Sequence, residues 1–143
     1  MKISDPWIAK ETFSNVSKVE KKLSYSRWIE FIETRKDYFT WLEDTEEGKT
    51  TLANLNEVPE SFRTKILKAH DRMKALAEFS PEKGYFEVIV QFNERLGVIG
   101  TTFQKEIKKH HLEVLFKMAE YLDAYVLNNG TQIIDRDVIS GLS

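Results

Sequence analysis

Apolar residues recur along this chain at two spacings, and the change from one to the other predicts its elements. In YFEVIVQF, residues 85–92, Phe86, Val88, Val90 and Phe92 alternate with Tyr85, Glu87, Ile89 and Gln91. That period of two predicts a strand with two distinct faces. The turn Asn93-Glu94-Arg95 leads into LGVIG, residues 96–100, which reads as the partner strand of a hairpin. Near the C-terminus, Asn129-Gly130 separates two short apolar runs in AYVLNNGTQIID, the strongest short-range signal for a two-residue hairpin turn.

Helical spacing appears in three places. Trp28, Ile29, Phe31 and Ile32 predict a helix over Ser26–Arg35. Phe62, Ile66, Leu67, Met73, Leu76 and Ala77 share a face in an amphipathic helix predicted over Glu60–Phe79, started at Pro59 and ended by Ser80-Pro81-Glu82-Lys83-Gly84. Thr101-Thr102-Phe103-Gln104 has the form of a capping box, and Ile107, His111, Leu112, Leu115, Phe116, Ala119 and Leu122 continue as an apolar stripe to about Asp123.

Two regions read less regularly. Near the start, Asp5-Pro6 suits the opening of a short helix, and Phe13, Val16, Val19 and Leu23 line one side of a second, with a strand as the alternative. Aromatic-rich YFTWLED, residues 38–44, and TTLANL, residues 50–55, read as strands joined by an acidic turn. After a helical region at 1–37, the expected order is ββ-α-ββ-α-ββ over 38–135, with a tail at 136–143. Hairpins imply antiparallel pairing, so the fold class is α+β: one domain, with a twisted antiparallel sheet and two long helices packed on one face.

Charge tests the one stretch that resembles a nucleotide motif. Gly48-Lys49-Thr50 matches the end of a phosphate-binding loop. The position that needs the first glycine is Glu43, and Glu43, Asp44, Glu46 and Glu47 would line the loop with carboxylates. They would repel a phosphate, and no glycine is present to turn backbone amides toward it. The reading is a solvated turn between strands.

Composition narrows the remaining classes. The 143 residues carry a formal net charge of -2, which disfavours non-specific binding to nucleic acid. No run approaches the roughly 20 apolar residues of a membrane span, and the opening residues lack the apolar core of a signal peptide. The absence of cysteine excludes disulfides, thiolate metal sites and cysteine nucleophiles. A cytoplasmic protein without a metal or other cofactor is the expectation.

Few residues suggest catalysis. His110 and His111 are adjacent, so on a helix they diverge by about 100° and lack the spacing of a zinc pair. His111 belongs to an apolar stripe, His70 neighbours Asp71, and Lys105, Lys108 and Lys109 read as a solvated basic face. Glu87, inside a strand, would have a raised pKa if both sheet faces were covered. These features support a secondary expectation, a small-molecule or enzymatic pocket using Glu87, His70 or His111. The leading expectation is a protein-binding protein. Its candidate surface is the acidic loop Glu43, Asp44, Glu46 and Glu47 with Tyr38 and Trp41, which would steer a basic partner electrostatically. By analogy of build, a bacterial immunity or antitoxin protein that occludes a basic active site is its concrete form. Self-association through a sheet edge or helix face is a third expectation.

Overall fold

The computed structural model describes residues 1–142. Strands are β1 (Pro6–Ala9), β2 (Thr40–Trp41), β3 (Lys74–Ser80), β4 (Tyr85–Asn93), β5 (Val98–Phe103), β6 (Tyr125–Asn128) and β7 (Gln132–Ile133). Helices are α1 (Tyr25–Thr34), α2 (Glu46–Ala53), α3 (Glu60–Ala69), α4 (Lys109–Tyr121) and α5 (Arg136–Ser140). The strands form one seven-stranded antiparallel sheet in the order β2-β3-β4-β5-β1-β6-β7.

The inner face carries the main core. Ala75, Ala77, Val88, Val90, Phe92 and Ile99 meet Trp28, Phe31 and Ile32 of α1 and Leu112, Leu115 and Met118 of α4. The Trp28 indole donates to the Arg72 carbonyl at 2.7 Å, so this aromatic buries its polar atom satisfied. A smaller apolar cluster of Ala9, Val19, Val98 and Leu127 lies under the segment containing Phe13 and Val16. α2 and α3 contribute almost nothing to either cluster. Gly48 is the one buried residue of α2, and α3 has none.

The antiparallel α+β class and both later hairpins follow the sequence pattern, except that Phe86, expected on the face of Val88, Val90 and Phe92, lies on the opposite face with Ile89. Tyr85–Asn93 pairs with Val98–Phe103, and Asn129 and Gly130, with φ of 56° and 80°, turn β6 into β7. Several expected elements differ. The N-terminal Pro6–Ala9 is a strand between β5 and β6, with Pro6 at its first residue, where a missing N–H is tolerated. Of the second expected short helix only the 3-10 turn Val16–Lys18 forms. The Glu60–Phe79 helix stops at Ala69, and Lys74–Ser80 is a strand. Pairing to β2 and β4 outweighs the helix propensity of Ala-Leu-Ala. Thr101 and Thr102 are not a cap but β5, whose pairing with β1 and β4 overrides the local signal.

The acidic stretch is not a hairpin loop. After the two-residue β2, Leu42–Asp44 makes a 3-10 turn and Glu46–Ala53 is helical. Thr45 caps that helix by accepting from the Gly48 N–H at 3.0 Å. Thr50 and Thr51 return hydroxyl bonds to the Glu46 and Glu47 carbonyls, which removes the extended preference their side chains suggest. The helices therefore do not form a single pair on one face: α1, α4 and α5 back the inner core, and α2 borders the opposite face.

Gly48 owes its place to backbone packing. A Cβ there would lie 2.0 Å from the Leu42 carbonyl oxygen and 3.0 Å from the Glu43 Cα. In an open helix, Gly→Ala stabilises by about 1 kcal/mol. Here the forced shift of α2 reverses the sign, and Gly48→Ala is expected to destabilise the fold by about 1–3 kcal/mol in urea denaturation. An increase in stability would show that α2 does not lie against the 42–44 turn.

Candidate functional site

β3 departs from strand alternation at Glu78. Its φ of 56° puts a non-glycine residue in the left-handed region, at a cost of about 1–3 kcal/mol. Ala75 and Ala77 face the inner core, and strict alternation would send Phe79 after them and Glu78 to the other side. The reverse occurs. Glu78 meets Tyr38, Lys105, His110 and His111, while Phe79 joins Leu76 and Ile89 on the outer face.

Glu78 is the centre of a polar knot. The Tyr38 hydroxyl donates to its Oε2, and the Lys105 ammonium lies 2.9 Å from Oε1. His110 Nε2 is 3.2 Å from Oε2. His111 Nε2 approaches Oε2 to 2.9 Å, but its N–H axis is not aligned with the oxygen, so the contact is electrostatic rather than a formed hydrogen bond. Lys105 also reaches Glu87 at 3.6 Å, and Lys83 holds the other Glu87 oxygen at 3.3 Å. The knot joins the α1–β2 loop, β3, β4, the β5–α4 loop and the first turn of α4.

These contacts set the protonation states. Burial alone would raise the Glu78 pKa, but the hydrogen bonds from Tyr38 and Lys105 and the close approach of His111 outweigh it and bring the carboxyl down to about 2. Burial and the bond to Glu78 push the Tyr38 hydroxyl above its ordinary range. Burial also lowers the His111 pKa, and Glu78 only partly opposes the shift. At neutral pH the centre is an ionised carboxylate facing a neutral, buried imidazole.

Glu78, His110 and His111 could each offer a ligand atom to a metal, and those atoms lie within 4.8 Å of one another. The adjacent rings do converge, with centroids 3.9 Å apart. The donor set nevertheless fits a metal poorly. His111 Nδ1 accepts the Lys108 backbone N–H at 2.9 Å, which caps α4 and places the imidazole proton on Nε2, the atom that would have to ligate. A metal-bound histidine normally donates from its other nitrogen rather than accepting there. The Lys105 ammonium beside Glu78 adds like-charge repulsion.

The outward turn at Phe79 opens a cleft of about 580 Å³ beneath the start of α2. Leu76, Ile89, Phe79, Phe86 and Tyr85 line it, with Glu46 and Glu47 at its margin. Phe79 is 52% exposed and Tyr85 43%. The Phe79 and Phe86 rings pack edge to face at 5.1 Å, which fixes one against the other.

The acidic candidates separate accordingly. Glu46 and Glu47 are exposed at the cleft. Asp44 pairs with Lys36 at 3.5 Å. Glu43 Oε2 accepts the Arg72 N–H at 2.6 Å, and its Oε1 is buried without a partner, so this carboxylate holds the α3–β3 loop. Trp41 is buried at 3% exposure, with its indole N–H on Glu33, and Tyr38 is bound to Glu78. Neither aromatic stands at the cleft. Of the catalytic candidates, Glu87 and His111 join the Glu78 knot, while His70 Nδ1 lies 2.7 Å from the Ile66 carbonyl at the end of α3. Sequence reasoning missed Glu78 and Phe79 because an all-helical reading of 60–79 hides a break in strand alternation.

The two depressed pKa values act in the same direction. The unfolded chain takes up protons at His111 as pH falls below 6.5 and at Glu78 as it falls below 4.5, before the folded chain does. Stability present at neutral pH is therefore lost stepwise on acidification, with Glu78 contributing about 2 kcal/mol after allowance for solvent access. Glu78→Gln should flatten the stability–pH slope between about pH 4.5 and pH 2 in denaturation at a series of pH values. An unchanged slope would contradict the ionised knot. Comparison with protein-family models, curated proteins and solved structures found no match to this chain.

Proposed function

We propose that the protein binds another protein through the outer-face cleft and acts by sequestering it, as a small immunity or antitoxin protein does. The observation that carries this reading is the outward presentation of Phe79. A strained backbone residue and a half-exposed aromatic both oppose stability, and Leu76, Ile89 and Phe86 extend the same apolar surface. Clefts of this kind, with an aromatic anchor and a polar margin, are where interface energy concentrates. Glu46 and Glu47 supply negative charge at the margin, which favours a basic group on the partner and speeds its approach. Their place in the first turn of α2 also suits the helix dipole, so charge and fold agree there.

A second reading, a proton-transfer site at the Glu78 knot, is favoured by one arrangement. His110 is exposed with Nε2 toward Glu78, an arrangement in which a carboxylate orients an accessible imidazole. The apolar cleft is lined by none of the knot's residues, so the two readings predict different binding surfaces. Chemical-shift mapping of any bound molecule separates them.

The binding reading is tested by purifying the protein from its own host, identifying a stoichiometric companion and measuring that companion's affinity by calorimetry. Phe79→Ala is expected to weaken binding by about tenfold or more, with little effect on folding because the ring is half exposed. Glu46→Lys with Glu47→Lys is expected to weaken it further at low salt and to reduce its salt dependence. A companion bound equally well by all variants would overturn the assignment of this cleft.

A further inference from the structure

Basic side chains gather at one place outside the apolar cleft. A depression of about 280 Å³ lies between α3 and the Asn93 end of β4. Lys65 and Lys68 reach it from α3, Lys74 from the start of β3, and Arg95 from the β4–β5 turn. Glu94 is the one carboxylate among its lining residues, on a chain whose formal net charge is -2. Lys68 lies 3.8 Å from Glu94. Lys65, Lys74 and Arg95 make no ion pair among the described residues. Lys74 also borders the cleft, but Glu46 and Glu47 do not line the depression.

This grouping opposes stability. Lys65 and Lys68 stand three positions apart on α3, neighbours on one helix face, where like charges repel. Lys74 and Arg95 add two more cations from other elements. The frame that carries them is closed by hydrogen bonds. The Gly97 N–H donates to the Asn93 carbonyl at 2.7 Å, and the Leu96 N–H donates to Asn93 Oδ1 at 2.9 Å, which fixes the turn that bears Arg95. Asn93, itself a lining residue, thereby keeps its NH2 donors without an acceptor among the described residues. Donors and cations are in excess on every side.

We propose that this depression binds the phosphate groups of a small phosphorylated ligand, independently of the protein-binding reading of the cleft. A phosphate group carries about -1.5 to -2 at neutral pH. Its oxygens point in several directions, so one group meets cations arriving from α3, β3 and the turn together. A carboxylate neutralises one charge and presents its two oxygens in a single plane. The Arg95 guanidinium is suited to take two phosphate oxygens at once, and the lysines act beside it as point charges. The volume falls just short of the about 300–1,000 Å³ of pockets that enclose a whole ligand. The phosphate end is therefore seated here and the rest of the molecule extends beyond the rim.

Titration of the full chain, labelled with nitrogen-15, tests the proposal with pyrophosphate, succinate and a single-stranded oligonucleotide at constant ionic strength. Pyrophosphate is expected to give saturable shifts at the Lys74, Asn93 and Arg95 amides and at the Asn93 side-chain NH2. It should bind about tenfold tighter than succinate, a dicarboxylate of similar size. Lys65→Gln with Lys68→Gln, and separately Arg95→Gln, should each weaken it by about tenfold. Lys18→Gln with Lys117→Gln removes two charges that do not line the depression and should leave the affinity unchanged. All five positions are exposed, so the substitutions spare the core. Shifts that never saturate, or equal weakening by the Lys18 and Lys117 pair, would reduce the site to a diffuse ion atmosphere and overturn it. Succinate bound as tightly as pyrophosphate would overturn the choice of phosphate. An oligonucleotide bound more tightly in proportion to its length would overturn the small ligand in favour of nucleic acid.

Discussion

Glu78 holds its left-handed backbone because several donors converge on one carboxylate. Charge-assisted hydrogen bonds of the kind Lys105 makes contribute about 1.5–3 kcal/mol each when partly buried. That range matches the cost of the left-handed conformation in a non-glycine residue, about 1–3 kcal/mol. The groups that surround the carboxylate come from separate parts of the chain. Tyr38 lies before β2, Lys105 before α4, and His110 and His111 in the first turn of α4. The exchange of faces on β3 thus depends on the helical layer being docked, and the helical layer is in turn tied to the hairpin tip.

The outer face inherits its character from that exchange. With regular alternation, Phe79 would follow Ala77 toward the core and a glutamate would take its place outside. Instead Phe79 and Phe86 meet on the outer side beside Leu76 and Ile89. Half-exposure of a phenylalanine forgoes about 1 kcal/mol of burial, and a fold selected for stability alone has no use for it. The inner core, anchored by Trp28 and Phe92, does not need either ring. Polar knot and apolar cleft are two sides of one local inversion.

Much of this was legible in the residues, and the failures have physical causes. Tyr85–Asn93 and the Asn129-Gly130 turn rest on local signals that tertiary pairing reinforces. Residues 74–80 carry Ala-Leu-Ala, good helix formers, and become a strand only because two neighbours await them. Thr50 and Thr51 suggest extension, yet their hydroxyls satisfy backbone carbonyls one turn back. Glu46 and Glu47, candidates by charge alone, lie on an accessible surface, whereas the aromatic ring of Trp41 is used by the core. Glu78 left no trace in the pattern, since a positive φ at a glutamate has no sequence signature. No helix among the described residues is long and apolar enough to cross a membrane.

The inversion at Glu78 can be observed directly. A carbon-edited NOESY spectrum with labelled phenylalanine and methyl groups reports which residues surround the Phe79 ring. The account predicts cross-peaks from that ring to Phe86 and to the Leu76 and Ile89 methyls, with none to the methyls of Val90 or Leu112. Cross-peaks to the core methyls would mean that β3 keeps its alternation through Glu78, and the cleft would lose its floor.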